Sequence, residues 1–206
     1  MRPLCFILMP FGKRPAGDSR MVDFDAVYQQ LIKPAVEAAG LEPLRADEEQ
    51  LGGLIHKPMF ERLVLCEYAV ADLTTANANV FYELGVRHAA LPRATLPIFA
   101  KDCGQLPFDV NGLRAQPYQL GADGRPANVE TDRAQISARL HAAREPDTDS
   151  PVFQLLNDFP NIQRLKTDSF REQVRYAESM KAKLADARRK GASALEDIEA
   201  TLGDLR

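Results

Sequence analysis

With 206 residues and 22.9 kDa, the chain holds one domain of ordinary size and an appendage, and its 45% hydrophobic content supplies a core that excludes disorder throughout. A formal charge of -3 and a pI of about 5.7 leave no electrostatic footprint for nucleic acid or an anionic membrane as the main partner. No apolar run approaches the roughly 20 residues needed to cross a bilayer.

Leu4-Cys5-Phe6-Ile7-Leu8-Met9 is a continuous apolar run, as a central parallel strand covered on both faces requires. It is too short for a signal-peptide core and lacks a small-residue cleavage site, so the protein is expected to be cytoplasmic. Met9-Pro10-Phe11-Gly12-Lys13 ends the strand and a polar loop runs on through Arg20. Phe24, Val27, Tyr28, Leu31, Ala35, Val36 and Ala39 then recur at helical spacing. Pro34 must kink that helix, because it cannot donate to the carbonyl of Gln30, and Gly40 closes it.

Leu41 to Ala46 reads as a second strand, followed by the acidic loop Asp47-Glu48-Glu49. Gly52-Gly53 leads into a helix from about Ile55 to Glu67, with Met59, Leu63 and Cys66 on one face. Tyr68 to Leu73 is a third strand, Thr74 to Asn79 a polar loop, and Val80 to about Ala90 an amphipathic helix with Asn79 suited to cap it. Thr95 to Ala100 and Gln116 to Leu120 complete five strands. Strands alternating with helices predict an α/β, doubly wound parallel sheet of flavodoxin-like order 2-1-3-4-5 over residues 1–121. Residues 122–150 read as a linker and a polar helix. Residues 151–206 read as a helical extension, with Ser-x-x-Glu capping boxes at Ser169 and Ser193, separated by Gly191. Its first helix is basic and its second acidic, as solvated faces of a hairpin would be, and the pair is expected to lead into helical repeats.

The absent motifs narrow the chemistry. There is no GxGxxG, no GxxxxGK[ST], no GxSxG and no HExxH. His56 and His88 are far apart, and Cys5, Cys66 and Cys103 show no CxxC spacing, so they read as reduced structural cysteines. No metal and no bound cofactor are expected. A phospho-accepting receiver domain has an acidic residue where Asp72 lies, but it needs carboxylates after the first strand, and Met9-Pro10-Phe11 supplies none.

What remains is the strand-loop-helix from Tyr68 to His88. In a parallel sheet the crevice beyond the carboxyl ends of the strands binds ligands. Asp72, Asn77, Asn79 and Glu83 are expected there, with Glu83 about one turn inside the helix. Glu83 has two readings: a carboxylate doing chemistry, or an exposed helix residue paired with Arg87 at i,i+4. Asp72 can accept a sugar hydroxyl or cap its loop. Phe11 can stack on a base or plug the core. Gly12 permits close backbone approach, Lys13 can meet a phosphate, and His56 can face the crevice or pack.

The run Asp72-Leu-Thr-Thr-Ala-Asn77-Ala-Asn79-Val-Phe-Tyr-Glu83-Leu-Gly85 resembles the nucleoside 2-deoxyribosyltransferase superfamily. Toll/interleukin-1-receptor (TIR) domains that cleave NAD are related to it and place a glutamate comparably. The resemblance covers about residues 4 to 120 and extends to Met9-Pro10-Phe11-Gly12 and Gly52-Gly53-Leu-Ile-His56-Lys-Pro-Met59. The domain followed by basic and then acidic helices also resembles bacterial proteins sharing the TRAF-binding region of stress-signalling MAP kinase kinase kinases. The resemblance implies that Glu83 is the nucleophile or oxocarbenium-stabilising carboxylate in cleavage of an N-glycosidic bond. It implies a nucleotide, nucleoside or NAD as substrate, and a homodimer, since family members place such pockets at a subunit interface. Asn77 departs from the pattern. Family transferases often carry an Asp there, and an amide cannot protonate a leaving nitrogen, which favours a leaving group already cationic or no turnover. The alternatives are a module that senses a nucleotide without turnover, or a scaffold whose C-terminal helices dock a protein partner.

Overall fold

The computed structural model describes residues 2–16, 20–45, 56–101, 103, 106, 110, 113–143 and 148–156, the first three residues of 56–101 by backbone alone, and Ser179, Lys183, Asp186, Arg189 and Lys190. Two compact units divide the chain, Met1–Arg164 and Leu165–Arg206.

In the first unit, β1 (Leu4–Leu8) is buried at every position and is an inner strand of a five-stranded sheet. It pairs in parallel with β4 (Glu42–Arg45) on one side and β5 (Tyr68–Asp72) on the other. β6 (Thr95–Ala100) and β7 (Gln116–Tyr118) continue the sheet in parallel, giving the order β4-β1-β5-β6-β7. The chain steps outward from β1 to β4, then turns back across β1 to β5, so a topological switch point opens between β1 and β5. The fold is therefore α/β with a parallel sheet, consistent with a flavodoxin-like arrangement.

The segment after β1 is not a plain polar loop. β2 (Lys13–Ala16) and β3 (Arg20–Asp23) form an antiparallel hairpin. Its charged residues and Pro15 suit two edge strands, while Ala16 and Val22 anchor it in the core. Asp23 caps the helix that follows by accepting from the Ala26 amide at 3.0 Å.

That helix accommodates Pro34 by changing pitch. α1 (Phe24–Val27) runs into a π-helical turn, Tyr28–Ile32, and then α2 (Lys33–Ala38), with the Lys33 amide bonded to the Tyr28 carbonyl. The Gln30 carbonyl, which Pro34 cannot serve, accepts from Arg133 Nη2 at 3.1 Å instead. Gly40, at φ +74°, ends the helix in a Schellman turn, with Leu41 N–H to Val36 O and Gly40 N–H to Glu37 O.

On the other helical layer, α3 (His56–Leu65) and α4 (Ala78–Ala90) pack together. Residues 46–55, including the expected acidic loop and the Gly52-Gly53 turn, lie outside the described residues.

The domain does not end at residue 121. Gly124, at φ +76°, sits so close to the hairpin that a Cβ there would lie 1.9 Å from the Met21 carbonyl oxygen. Its own carbonyl accepts from the Asp23 amide at 3.0 Å, and Arg125 pairs with Asp23 at 3.6 Å. α5 (Val129–Ala142) then buries Ile136 and Leu140 and packs on α2 and the π turn. The stretch expected to be a linker and a polar helix is thus part of the core, because two apolar side chains one turn apart are enough to seat the helix. α6 (Pro151–Leu155) packs on α4.

In the second unit, the five described residues are all helical, with Lys190 paired to Asp186 at 2.8 Å across one turn. The two capping boxes and Gly191 lie outside the described residues. Among the described residues, no helix is long and apolar enough to cross a membrane.

Candidate functional site

The carboxyl edge of the sheet is held by one buried hydrogen-bond cluster. Asp72, the last residue of β5, is 1% exposed. Its Oδ1 accepts from the Thr74 amide at 3.0 Å and from the Thr74 hydroxyl, and its Oδ2 accepts from the Tyr118 hydroxyl at 2.7 Å. Thr74 Oγ1 in turn accepts from the Ala100 amide at 2.9 Å. The ends of β5, β6 and β7 are tied by this cluster. Burial pushes the Asp72 carboxyl and the Tyr118 phenol above their ordinary ranges, while the Thr74 and Tyr118 hydrogen bonds pull Asp72 back. Of the two readings for Asp72, the observed bonds are those of the loop cap.

Asn77, not Asn79, caps α4. Its Oδ1 accepts from the amides of Asn79 at 3.0 Å and Val80 at 3.3 Å. Asn79 is the second residue of the helix and is exposed. The helix starts two residues earlier than its apolar pattern indicates, because Ala78 and Asn79 add a polar half-turn before Val80.

Glu83 therefore lies in the second turn of α4, on its α3-facing flank. Glu83 and Arg87 share a helical stripe. Arg87 reaches the carbonyls that end α3, so Glu83 faces the same helix one turn nearer the carboxyl edge of the sheet. The neighbouring Tyr82 agrees, meeting Phe60 of α3 edge-on with ring centroids 6.3 Å apart.

Arg87 does not pair with Glu83. Its side chain is 0% exposed; Nη1 donates to Leu63 O at 2.9 Å and Cys66 O at 2.6 Å, Nη2 to Glu67 O at 3.0 Å and Ala94 O at 3.4 Å, and Nε to Thr95 Oγ1 at 3.2 Å. The guanidinium closes the carbonyl end of α3, where a cation is favoured. The surface ion pair considered for Glu83 is thereby overturned. Glu83 is half-buried, and among the described residues its carboxylate has neither a hydrogen-bond donor nor a counter-ion. Burial alone lifts its carboxyl from 4.5 to about 7.

Across the switch point stands the loop after β1. Gly12 adopts φ +66°, a left-handed conformation that favours glycine, and its carbonyl accepts from the Phe24 amide at 3.0 Å. Arg14 Nε donates to Phe11 O at 3.1 Å. Phe11 is 37% exposed, so it does not plug the core. Lys13 opens β2 and is exposed. His56 begins α3 at the same end of the sheet; its side chain lies outside the described residues.

Three residues at this edge escaped the sequence reading. Arg45 ends β4 beside β1, is buried, and pairs with Asp25 at 3.0 Å. Thr74 and Tyr118 build the cluster around Asp72. Only Arg45 carried a usable signal, since a charged residue closing a strand of a parallel sheet stands at the carboxyl edge where ligands bind. Among the described residues, no group of His, Cys, Asp and Glu could hold a metal ion.

The chain matches no protein-family model and no curated protein.

Proposed function

We propose that the chain cleaves an N-glycosidic bond in a nucleoside, a nucleotide or NAD, with Glu83 as the group that meets the anomeric carbon. The observation that carries this reading is a half-buried carboxylate, uncompensated among the described residues, beside the switch point of a parallel sheet. As the bond from C1′ to nitrogen breaks, the base departs with the electron pair and positive charge grows on the sugar. A carboxylate without an internal counter-ion gains most from that charge, because it is paired only as the transition state forms. Glu83 then either bonds to C1′ through one carboxylate oxygen or holds the cation until water adds. In both cases water finally supplies the hydroxyl, and its proton leaves with the base or to solvent. The resemblance to deoxyribosyltransferases and TIR domains, the flavodoxin-like strand order and a cytoplasmic location belong to the same reading.

The second reading is a nucleotide-sensing or scaffold module, coupled to helical protein-interaction repeats in a bacterial signalling or defence protein. One feature favours it. The Asn77 oxygen is occupied in capping α4, and an amide supplies no acid for a neutral leaving base. Incubation with NAD and a panel of nucleosides and nucleotides, followed by mass spectrometry, separates the two. Turnover by the wild type and none by Glu83→Gln supports the enzyme. Equal turnover by both proteins removes Glu83 from the chemistry, and thermal stabilisation by a nucleotide without product supports the sensor.

A further inference from the structure

Phe11 stands at the switch point as a half-exposed aromatic ring on a backbone with little freedom. Its carbonyl accepts from Arg14, and the next residue is fixed by the left-handed turn and by the bond from Phe24. One face of the ring is already covered. The guanidinium carbon of Arg45 lies 5.4 Å from the Phe11 centroid and 4.4 Å from that of Tyr28, so Arg45 is layered between the two rings. Tyr28 is the first residue of the π turn, a helical irregularity that recurs at functional sites, and it is 1% exposed. Asp25, on the preceding turn, pairs with Arg45 at 3.0 Å and fixes it from the side.

Building on the glycosidic reading, we infer that the Tyr28–Arg45–Phe11 stack is a preorganised platform whose open Phe11 face binds a neutral planar heterocycle, the base of the nucleoside. A ring held rigid before binding loses little freedom when a base settles on it. The charge preference follows from the layer beneath. A cation already occupies the far face of Phe11, so a second cation on the open face meets its repulsion through the ring, whereas a neutral base does not. Asp25 offsets part of that charge, which makes the discrimination modest. If the departing group is a cationic ring, it lies away from Phe11, and this platform holds a different, neutral ring of the substrate.

The test uses the Glu83→Gln protein, in which neither turnover nor the charge of Glu83 intrudes, and measures dissociation constants by ligand-observed NMR. The probes are adenosine and 1-methyladenosine, which is cationic at pH 7. Phe11→Leu should weaken adenosine about tenfold, and Phe11→Trp should hold or tighten it. With Phe11 in place, 1-methyladenosine should bind about threefold more weakly than adenosine. That gap should close in Arg45→Met and widen in Asp25→Asn, which removes the charge while keeping an oxygen that can accept from Arg45 and the Gly12 amide. A gap that persists in Arg45→Met and ignores Asp25→Asn is steric and overturns the charge preference. Adenosine affinity indifferent to Phe11→Leu, or absent altogether, overturns the platform. Turnover by the otherwise wild-type protein is scored separately, so a chain that still cleaves while ignoring Phe11 keeps the glycosidic reading and loses this one.

Discussion

If the Glu83 charge is uncompensated in the free protein, removing it should stabilise the fold while abolishing the chemistry. The perturbation is Glu83→Gln, which keeps the shape and removes the ionisation. A carboxyl rising from 4.5 to about 7 on folding binds protons more tightly in the native state than in the unfolded chain. Stability of the wild type therefore falls as pH rises between those values, and the loss is complete above about 7. At about 1.36 kcal/mol per pH unit the full rise corresponds to about 3 kcal/mol. Glu83 retains some contact with water, so screening reduces this to about 1–2 kcal/mol. For a unit of this size, that is a difference in melting temperature of about 3–6 °C. Urea and thermal melts of both proteins at pH 5 and pH 8.5 check it. The gain should be full at pH 8.5 and largely gone at pH 5. A Gln variant that is no more stable than wild type at pH 8.5, or that differs equally at both pH values, would show that the carboxylate is already compensated.

The same ionisation should shape activity: if Glu83 acts as a carboxylate, kcat/KM should rise tenfold per pH unit below about 7 and level off above it, and a flat profile from pH 5 to 8 would contradict that role. Asn77→Ala should cost about 1 kcal/mol in urea unfolding through loss of the helix cap, while Asn79→Ala should cost close to nothing; the reverse order would restore Asn79 as the cap. Tyr118→Phe should cost about 2 kcal/mol by removing a donor from the buried Asp72 carboxyl, measured by the same melts at pH 7. Gly124→Ala should cost more than about 2 kcal/mol, because its Cβ would overlap the Met21 carbonyl and φ +76° disfavours any side chain; an unchanged melting temperature would mean the β-hairpin shifts freely.

The inner strands were legible because β1, β5 and β6 are largely apolar runs, and Leu4 to Leu8 announces a strand covered on both faces. The switch point between β1 and β5 followed from strand order, and the place of Glu83 early in α4 from the apolar run before it, whereas a role for Glu83 came only from the resemblance. Local polar detail was harder. Two asparagines two residues apart both suit a cap, and only the real loop length selects Asn77. The β2–β3 hairpin was hidden because Lys13, Arg14 and Pro15 have no strand pattern; part of what holds it is Gly124, packed on Met21 and Val22 and bonded to Asp23 from about 100 residues away. α5 read as polar because its buried stripe carries two apolar residues, Ile136 and Leu140, beside the buried Asp132, and no local pattern ties Arg133 to the carbonyl that Pro34 leaves open. The Asp72–Tyr118 bond is likewise between residues far apart in sequence, joined only by the register of neighbouring strands.

The setting of Arg87 has a consequence for how such a site could be controlled. Sliding or rotating α4 by even part of a turn would pull a fully buried guanidinium off the carbonyls of Leu63, Cys66 and Glu67. These bonds make α4 costly to move, which favours a fixed position for Glu83. If Glu83 does the proposed chemistry, control would act on what reaches it rather than on a movement of α4.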